Sequence, residues 1–122
     1  MKNELIKVSH IQDVLLDIGI PSNLLGFGYI CHAEQMAFER GEECLKHLTK
    51  CLYVDVASMC GTTPSRVERA IRHAISTAWA VGDVDTINRI FRNSVNPLKG
   101  VPTNGQFLSR IYYYVANSNY YD

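Results

Sequence analysis

The stretch VDVASMCGTTPSRVERAIRHAISTAW, residues 54–79, decides the fold. It predicts a short helix that ends at Gly61, a tight turn, and a longer helix from about residue 64 to residue 81. Thr63 is a good N-cap, Pro64 suits the first helical position, and Gly82 closes the far end. This order of elements is typical of the helix-turn-helix that reads DNA.

Small and apolar residues support this prediction. Ala57 and Gly61 lie four residues apart, which predicts that the first helix approaches the second closely at its end. The apolar contacts that set the crossing of the two helices are expected from Val56, Val67 and Ala70.

The second helix is predicted to have two faces, since successive residues turn by about 100°. The apolar face consists of Val67, Ala70, Ile71, Ala74 and Ala78. The opposite face consists of Ser65, Arg69, Arg72 and Ser76, flanked by Arg66 and His73 on one side and by Glu68 on the other. Arginine can bind the O6 and N7 of guanine, and glutamate can accept from the N4 of cytosine. The pattern alone fits equally well a solvated surface with a Glu68–Arg72 pair.

Helical periodicity runs through the rest of the chain and predicts a compact, all-α single domain over residues 1–122. Its ends, about residues 1–9 and 117–122, are expected to be less ordered. Gly26 and Gly28 are expected to weaken the start of the helix predicted over about residues 24–40. The other predicted helices cover about residues 11–18, 24–40, 45–52 and 84–92 and the segment after Thr103, which follows a loop containing Pro97, Gly100 and Pro102.

Charge and hydropathy limit the classes of binding partner that the sequence predicts. The formal net charge is zero, which argues against nucleic acid, but the charge is unevenly distributed. Residues 61–122 carry seven basic and four acidic side chains, whereas residues 1–60 carry five and eight. The chain has neither a signal peptide nor an apolar run of about 18 residues, which predicts a cytoplasmic protein without a membrane partner.

One segment carries a resemblance to a known family. The run TTPSRVERAIRHAISTAW, residues 62–79, closely resembles the recognition-helix region of the C-terminal effector domain of the stage-zero sporulation protein A family. Full-length members are phosphorylation-controlled transcription factors that start endospore formation. Further blocks resemble the family in the same order, namely LLDIGIP, GYICHAEQM, LYVDVA, GDVDTI and PTNGQF, so the resemblance covers roughly residues 10–108.

The resemblance implies a six-helix transcription regulator that binds double-stranded DNA, with its recognition helix in the major groove of a short box of the type 5'-TGTCGAA-3'. It also implies a second copy or a full-length regulator bound in tandem. By position, Glu68 and Arg69 contact bases. The residues expected around them at the DNA are Thr63, Ser65, Arg66, Arg72 and His73.

Two departures from the family affect the expected function. Full-length members have a receiver domain ahead of this one, and only about ten residues precede the first matching block here. We therefore expect a stand-alone effector domain that is not controlled by the family's phosphorylation route. The alternative is an interaction protein that pairs with or antagonises a full-length regulator. The second departure is the tail IYYYVANSNYYD, which carries five tyrosines where the family tail is more charged. These tyrosines could pack on the core, meet a partner subunit or stack on a ligand.

The sequence predicts neither an enzyme nor a site for a metal, cofactor or small-molecule substrate. Cys44, His47 and Cys51 fall on one helical face, but their spacing matches no common zinc module. Four buried thiols are the preferred interpretation of the four cysteines. His10 and His32 have no carboxylate or thiol at a spacing that indicates a general base.

Overall fold

The computed structural model describes the backbone of residues 2–92 and 100–121, and in these ranges it contains six α-helices and no β-strand. The predicted all-α fold with six helices is confirmed. Of the predicted loop around Pro97, Gly100 and Pro102, residues 93–99 lie outside the described residues. The helices are α1 (Lys2–Ile18), α2 (Leu25–Arg40), α3 (Tyr53–Cys60), α4 (Pro64–Val81), α5 (Val84–Phe91) and α6 (Asn104–Tyr121).

The first helix is longer than its periodicity predicts. Its backbone is helical from Lys2, and α1 has 17 residues. Ile11, Val14, Leu15 and Ile18 are buried and form the part of α1 that contacts the core. Apolar periodicity marks this packed part of a helix, and therefore it missed the preceding turns.

The predicted helix over residues 45–52 is wrong in detail. Glu42–Lys46 forms a 3-10 turn and Leu48–Leu52 a π turn, and the chain bends between them at His47, with φ of −126° and ψ of 59°. The bend buries Leu45 as well as Leu52. The π turn leads directly into α3, in agreement with the expected near-continuity.

Helix α2 lies at the centre of the domain, because it packs against α1, α3, α4 and α6.

An aromatic cluster fills the side of the core next to α5. Trp79 meets Phe91 edge to face at 4.9 Å between ring centroids, and Phe91 stacks on Phe107 at 5.5 Å. Phe91 is buried and Trp79 is half-buried.

A glycine sets the distance between α2 and α4. A Cβ built on Gly26 would overlap the carbonyl oxygen of Ala70 and would lie 2.8 Å from the Cβ of Ala74. Since real Cβ atoms do not approach other heavy atoms so closely, α2 and α4 touch backbone to backbone only because residue 26 has no side chain. This contact holds α4 from behind and leaves its other face toward solvent.

Candidate nucleic-acid interface

The turn between α3 and α4 depends on the backbone conformation of Gly61. Its φ of 68° and ψ of 40° lie in the left-handed region, which favours glycine. The amide of Thr62 donates to the carbonyl of Ala57 at 3.0 Å and closes the end of α3. A Cβ on Gly61 would have no heavy atom within 4 Å. The expectation that Gly61 serves close helix approach is therefore wrong, since its φ is what requires glycine.

Both helices of the motif are held at their ends. Thr63 caps α4 as predicted, because its Oγ1 accepts a hydrogen bond from the amide of Arg66 at 3.3 Å. Pro64 occupies the first turn, where no amide hydrogen is needed. On the other side of the motif, Arg40 at the end of α2 forms an ion pair of 2.6 Å with Asp55 of α3. The cap fixes where α4 begins, and the ion pair joins α3 to the end of α2 at the surface.

The body of α4 has one buried and one exposed face. Ala70, predicted on the buried face, is half-buried beside Gly26 of α2. Ile75 is also buried, although it was not predicted on this face. The buried residues of α4 are Val67, Ile71, Ala74, Ile75 and Ala78.

The predicted DNA-contacting side chains lie together on the solvent side of α4 and at its N-cap. Glu68 is half-buried at the edge of this surface. The others are exposed, namely Thr63, Ser65, Arg66, Arg69, Arg72 and His73. We call these seven residues the α4 surface. It presents three guanidinium groups and one carboxylate, the side chains that can bind guanine, cytosine and phosphate.

Glu68 and Arg72 form an ion pair on this surface. Arg72 Nη2 donates to Glu68 Oε1 at 2.6 Å, and the two residues are one helical turn apart. The exposed fractions of their side chains are 66% for Arg72 and 38% for Glu68. Water therefore screens the pair, and its contribution to the free energy of unfolding is small.

We expect Glu68→Gln to lower the free energy of unfolding by about 0.5 kcal/mol or less, because exposed pairs of this spacing contribute little. Urea unfolding at low and at high salt measures the change, and Arg72→Gln is the matched variant on the other side of the pair. A loss above about 1 kcal/mol for either variant would mean that the pair holds the fold, and not only orients two exposed side chains.

A buried amide connects α6 to both helices of the motif. Asn104 Nδ2 donates to Tyr53 Oη of α3 and to the backbone carbonyl of Glu68 in α4, each at 3.1 Å. Asn104 and Tyr53 are both buried, and burial raises the pKa of the Tyr53 hydroxyl, with a smaller opposing effect of the Asn104 hydrogen bond. Sequence reasoning gave neither residue a role, although Asn104 lies in the PTNGQF block.

A groove of about 620 Å³ runs between α4 and the start of α6. Glu68, Arg72 and Ser76 form its α4 wall, and residues 101–105 form the opposite wall. Two of the seven side chains of the α4 surface therefore border this groove. The start of α6 therefore lies beside the exposed side of α4.

The cysteines are less buried than predicted. Cys44 is buried, whereas Cys31, Cys51 and Cys60 are half-buried, and all four are free thiols. Burial, followed by the nearby Glu34, raises the pKa of the Cys31 thiol to about 11. Within residues 2–92 and 100–121, no three His, Cys, Asp or Glu side chains form a group that could hold a metal ion.

Two of the five tail tyrosines, Tyr112 and Tyr114, pack against the domain, and a third, Tyr113, is exposed and forms a hydrogen bond with it. Tyr112 stacks on Phe38 of α2 at 4.6 Å between ring centroids. Tyr113 Oη donates to Glu42 Oε2, and Tyr114 packs against the core. For Tyr112 and Tyr114, packing on the core is the observed alternative. The side chains of the other two, Tyr120 and Tyr121, lie outside the part of the chain that the structure describes.

Among the residues that the structure describes, no helix is both long and apolar enough to cross a membrane.

A helix-turn-helix whose second helix exposes arginines along its solvent side defines a DNA-binding domain of the transcription-regulator class. Over residues 11–115 the chain matches the family model described as "Sporulation initiation factor Spo0A C terminal". The chain belongs to this family, which is a DNA-binding effector domain and not a catalytic family.

Proposed function

We propose that this protein is a transcription regulator that reads short sporulation-type boxes in double-stranded DNA through α4 inserted in the major groove. The exposed α4 surface is the observation that carries the proposal. Its arginines are free of core contacts, and small residues such as Ser65 and Ser76 let the helix backbone come close to the bases.

Each side chain of the α4 surface has a proposed task. Arg69 binds the O6 and N7 of guanine, and Glu68 accepts a hydrogen bond from the N4 of cytosine. Thr63, Ser65, Arg66, Arg72 and His73 contact neighbouring bases or phosphates. The ion pair between Glu68 and Arg72 supports this arrangement, because it holds the carboxylate on the exposed side of the helix before DNA binds.

The partner on DNA is a second copy of this chain or a full-length regulator. The resemblance to a family that binds tandem boxes supports this part of the proposal. The number of chains bound to duplexes with one box and with two boxes, measured by analytical ultracentrifugation, tests it.

The decisive experiment compares Arg69→Ala with the wild-type protein by fluorescence anisotropy. We expect wild-type affinity for a duplex with 5'-TGTCGAA-3' to exceed that for a scrambled duplex and to fall as salt rises. Arg69→Ala should weaken binding to the box by about 10- to 100-fold, because a two-point contact with guanine contributes about 1–3 kcal/mol of discrimination.

Lys46→Ala is the charge-matched control. Lys46 is exposed on the 3-10 turn and forms an ion pair of 3.7 Å with Glu43, away from α4. The Lys46→Ala substitution removes one positive charge, as Arg69→Ala does. It should leave the preference for the box unchanged. Equal wild-type affinity for the box and the scrambled duplex would overturn the proposed function.

A further inference from the structure

We propose that Asn104 is a positioning residue for DNA reading, which holds α4 at the orientation in which Glu68 and Arg69 meet the bases. This inference rests on the proposed function and assigns a task to a residue outside the α4 surface. Asn104 is the first residue of α6, and it lies 36 residues from Glu68 and 51 from Tyr53 in the chain.

The evidence is the pair of hydrogen bonds that Asn104 donates. One side-chain nitrogen reaches Tyr53 Oη at the start of α3 and the carbonyl of Glu68 in α4, both at 3.1 Å. An amide group has two N–H donors, so this geometry uses both of them. Asn104 is only 8% exposed, and water does not compete freely for these bonds. A single buried group thus connects both helices of the motif.

The position of the accepting carbonyl links this contact to DNA reading. It belongs to Glu68, whose side chain we assign to a base, and the next residue is Arg69. Contacts behind α4, at Ala70 and Ala74, are close van der Waals contacts without a strong directional preference. A hydrogen bond depends on angle as well as distance, so it restricts rotation of α4 about its axis. A small rotation would displace the exposed side chains from the base edges.

Asn104 is itself held by the start of α6. The amide of Thr103 donates to Gln106 Oε1 at 2.9 Å, and the amide of Gln106 donates to Thr103 Oγ1 at 3.1 Å. These reciprocal bonds form a capping box. The side chains of Phe107 and Leu108 are fully buried and anchor the first turns of α6 in the core. The amide group of Asn104 therefore extends from a rigid support.

Asn104→Leu tests the inference, since leucine has a similar size and cannot donate a hydrogen bond. At a temperature where circular dichroism shows the variant folded, we expect about a tenfold loss of affinity for the box duplex and no change for the scrambled duplex. A purely structural role would lower the melting temperature and leave the ratio of the two affinities unchanged. An unchanged ratio would overturn the inference.

Tyr53→Phe is the matched variant. It removes the hydroxyl acceptor in α3 and keeps the bond from Asn104 to the carbonyl of Glu68. We expect lower stability with the ratio of affinities retained. If Tyr53→Phe lowers this ratio as much as Asn104→Leu does, the bond to α4 is not the determinant and the inference fails.

A measurement on the wild-type protein covers the case in which Asn104→Leu does not fold. NMR exchange of the two Asn104 side-chain N–H protons should be slow in the free protein and slower still with the box duplex than with the scrambled duplex. Equal exchange with both duplexes would refute the inference. If Arg69→Ala loses box preference while Asn104→Leu retains it, only this inference fails. If the wild-type protein shows no preference, the proposed function fails with it.

Discussion

Replacing Gly26 by alanine is expected to lower the free energy of unfolding by about 2–3 kcal/mol, the cost of overpacking a tightly packed core. The added Cβ would overlap the carbonyl oxygen of Ala70 and lie 2.8 Å from the Cβ of Ala74. Neither neighbour can move as a flexible side chain does, because one is backbone and the other is a Cβ. Helix α2 would have to move away from α4.

Gly28→Ala is the matched control for this prediction. Gly28 lies two residues further along α2, and a Cβ there would have no heavy atom within 4 Å. Alanine favours a helix over glycine by about 0.5–1 kcal/mol, so Gly28→Ala should raise stability. Urea unfolding of both variants gives the comparison. If Gly26→Ala is as stable as the wild-type protein, α2 and α4 are not held at the distance described.

The contrast between these glycines explains what sequence can predict. Both were expected only to weaken the start of α2, because helix propensity is a local property. Whether a glycine lies against another backbone depends on a residue such as Ala70, which is distant in sequence. The bounds of α4, in contrast, are predicted from local signals: Thr63 and Pro64 mark its start, and Gly82 its end.

The candidate site likewise has one part that local sequence patterns predict and one part that they do not. The exposed and buried faces of α4 follow from the helical period, and the structure has the exposed arginines where the period predicts them. The support from Asn104 could not be predicted, since it joins three helices through contacts 36 and 51 residues apart in the chain. Local patterns do not record which polar side chain finds a buried acceptor.

Stability should fall as pH rises from about 5 to 8, because of Glu34 in α2. Its side chain is fully buried, and neither carboxylate oxygen has a hydrogen-bond partner among the described residues. Burial raises its pKa well above the usual carboxyl value. The folded protein therefore keeps the proton after the unfolded chain has released it. The stabilising effect of this protonation is fully present below the unfolded pKa and is lost as pH rises toward the folded pKa.

The titratable neighbours of Glu34 do not obscure this effect. Cys31 of the same helix, Cys44 of the 3-10 turn and Tyr112 of α6 are coupled to it electrostatically. Each has a pKa raised above its ordinary value, chiefly by burial, so each is neutral over this pH range. None of these three groups supplies a positive charge that would offset the effect of burial on the pKa of Glu34.

Glu34→Gln isolates the contribution of this one proton, because glutamine has nearly the same shape and does not titrate. We expect the free energy of unfolding of the variant to depend less on pH than that of the wild-type protein, by up to about 1.4 kcal/mol per pH unit between pH 5 and 8. Glu39→Gln, at an exposed position of α2, is the control and should leave the wild-type pH dependence almost unchanged. Urea unfolding across this range measures all three proteins. Parallel pH profiles for the wild-type protein and Glu34→Gln would mean that Glu34 is ionised in the fold, and the core around it would then have to contain a partner for its charge.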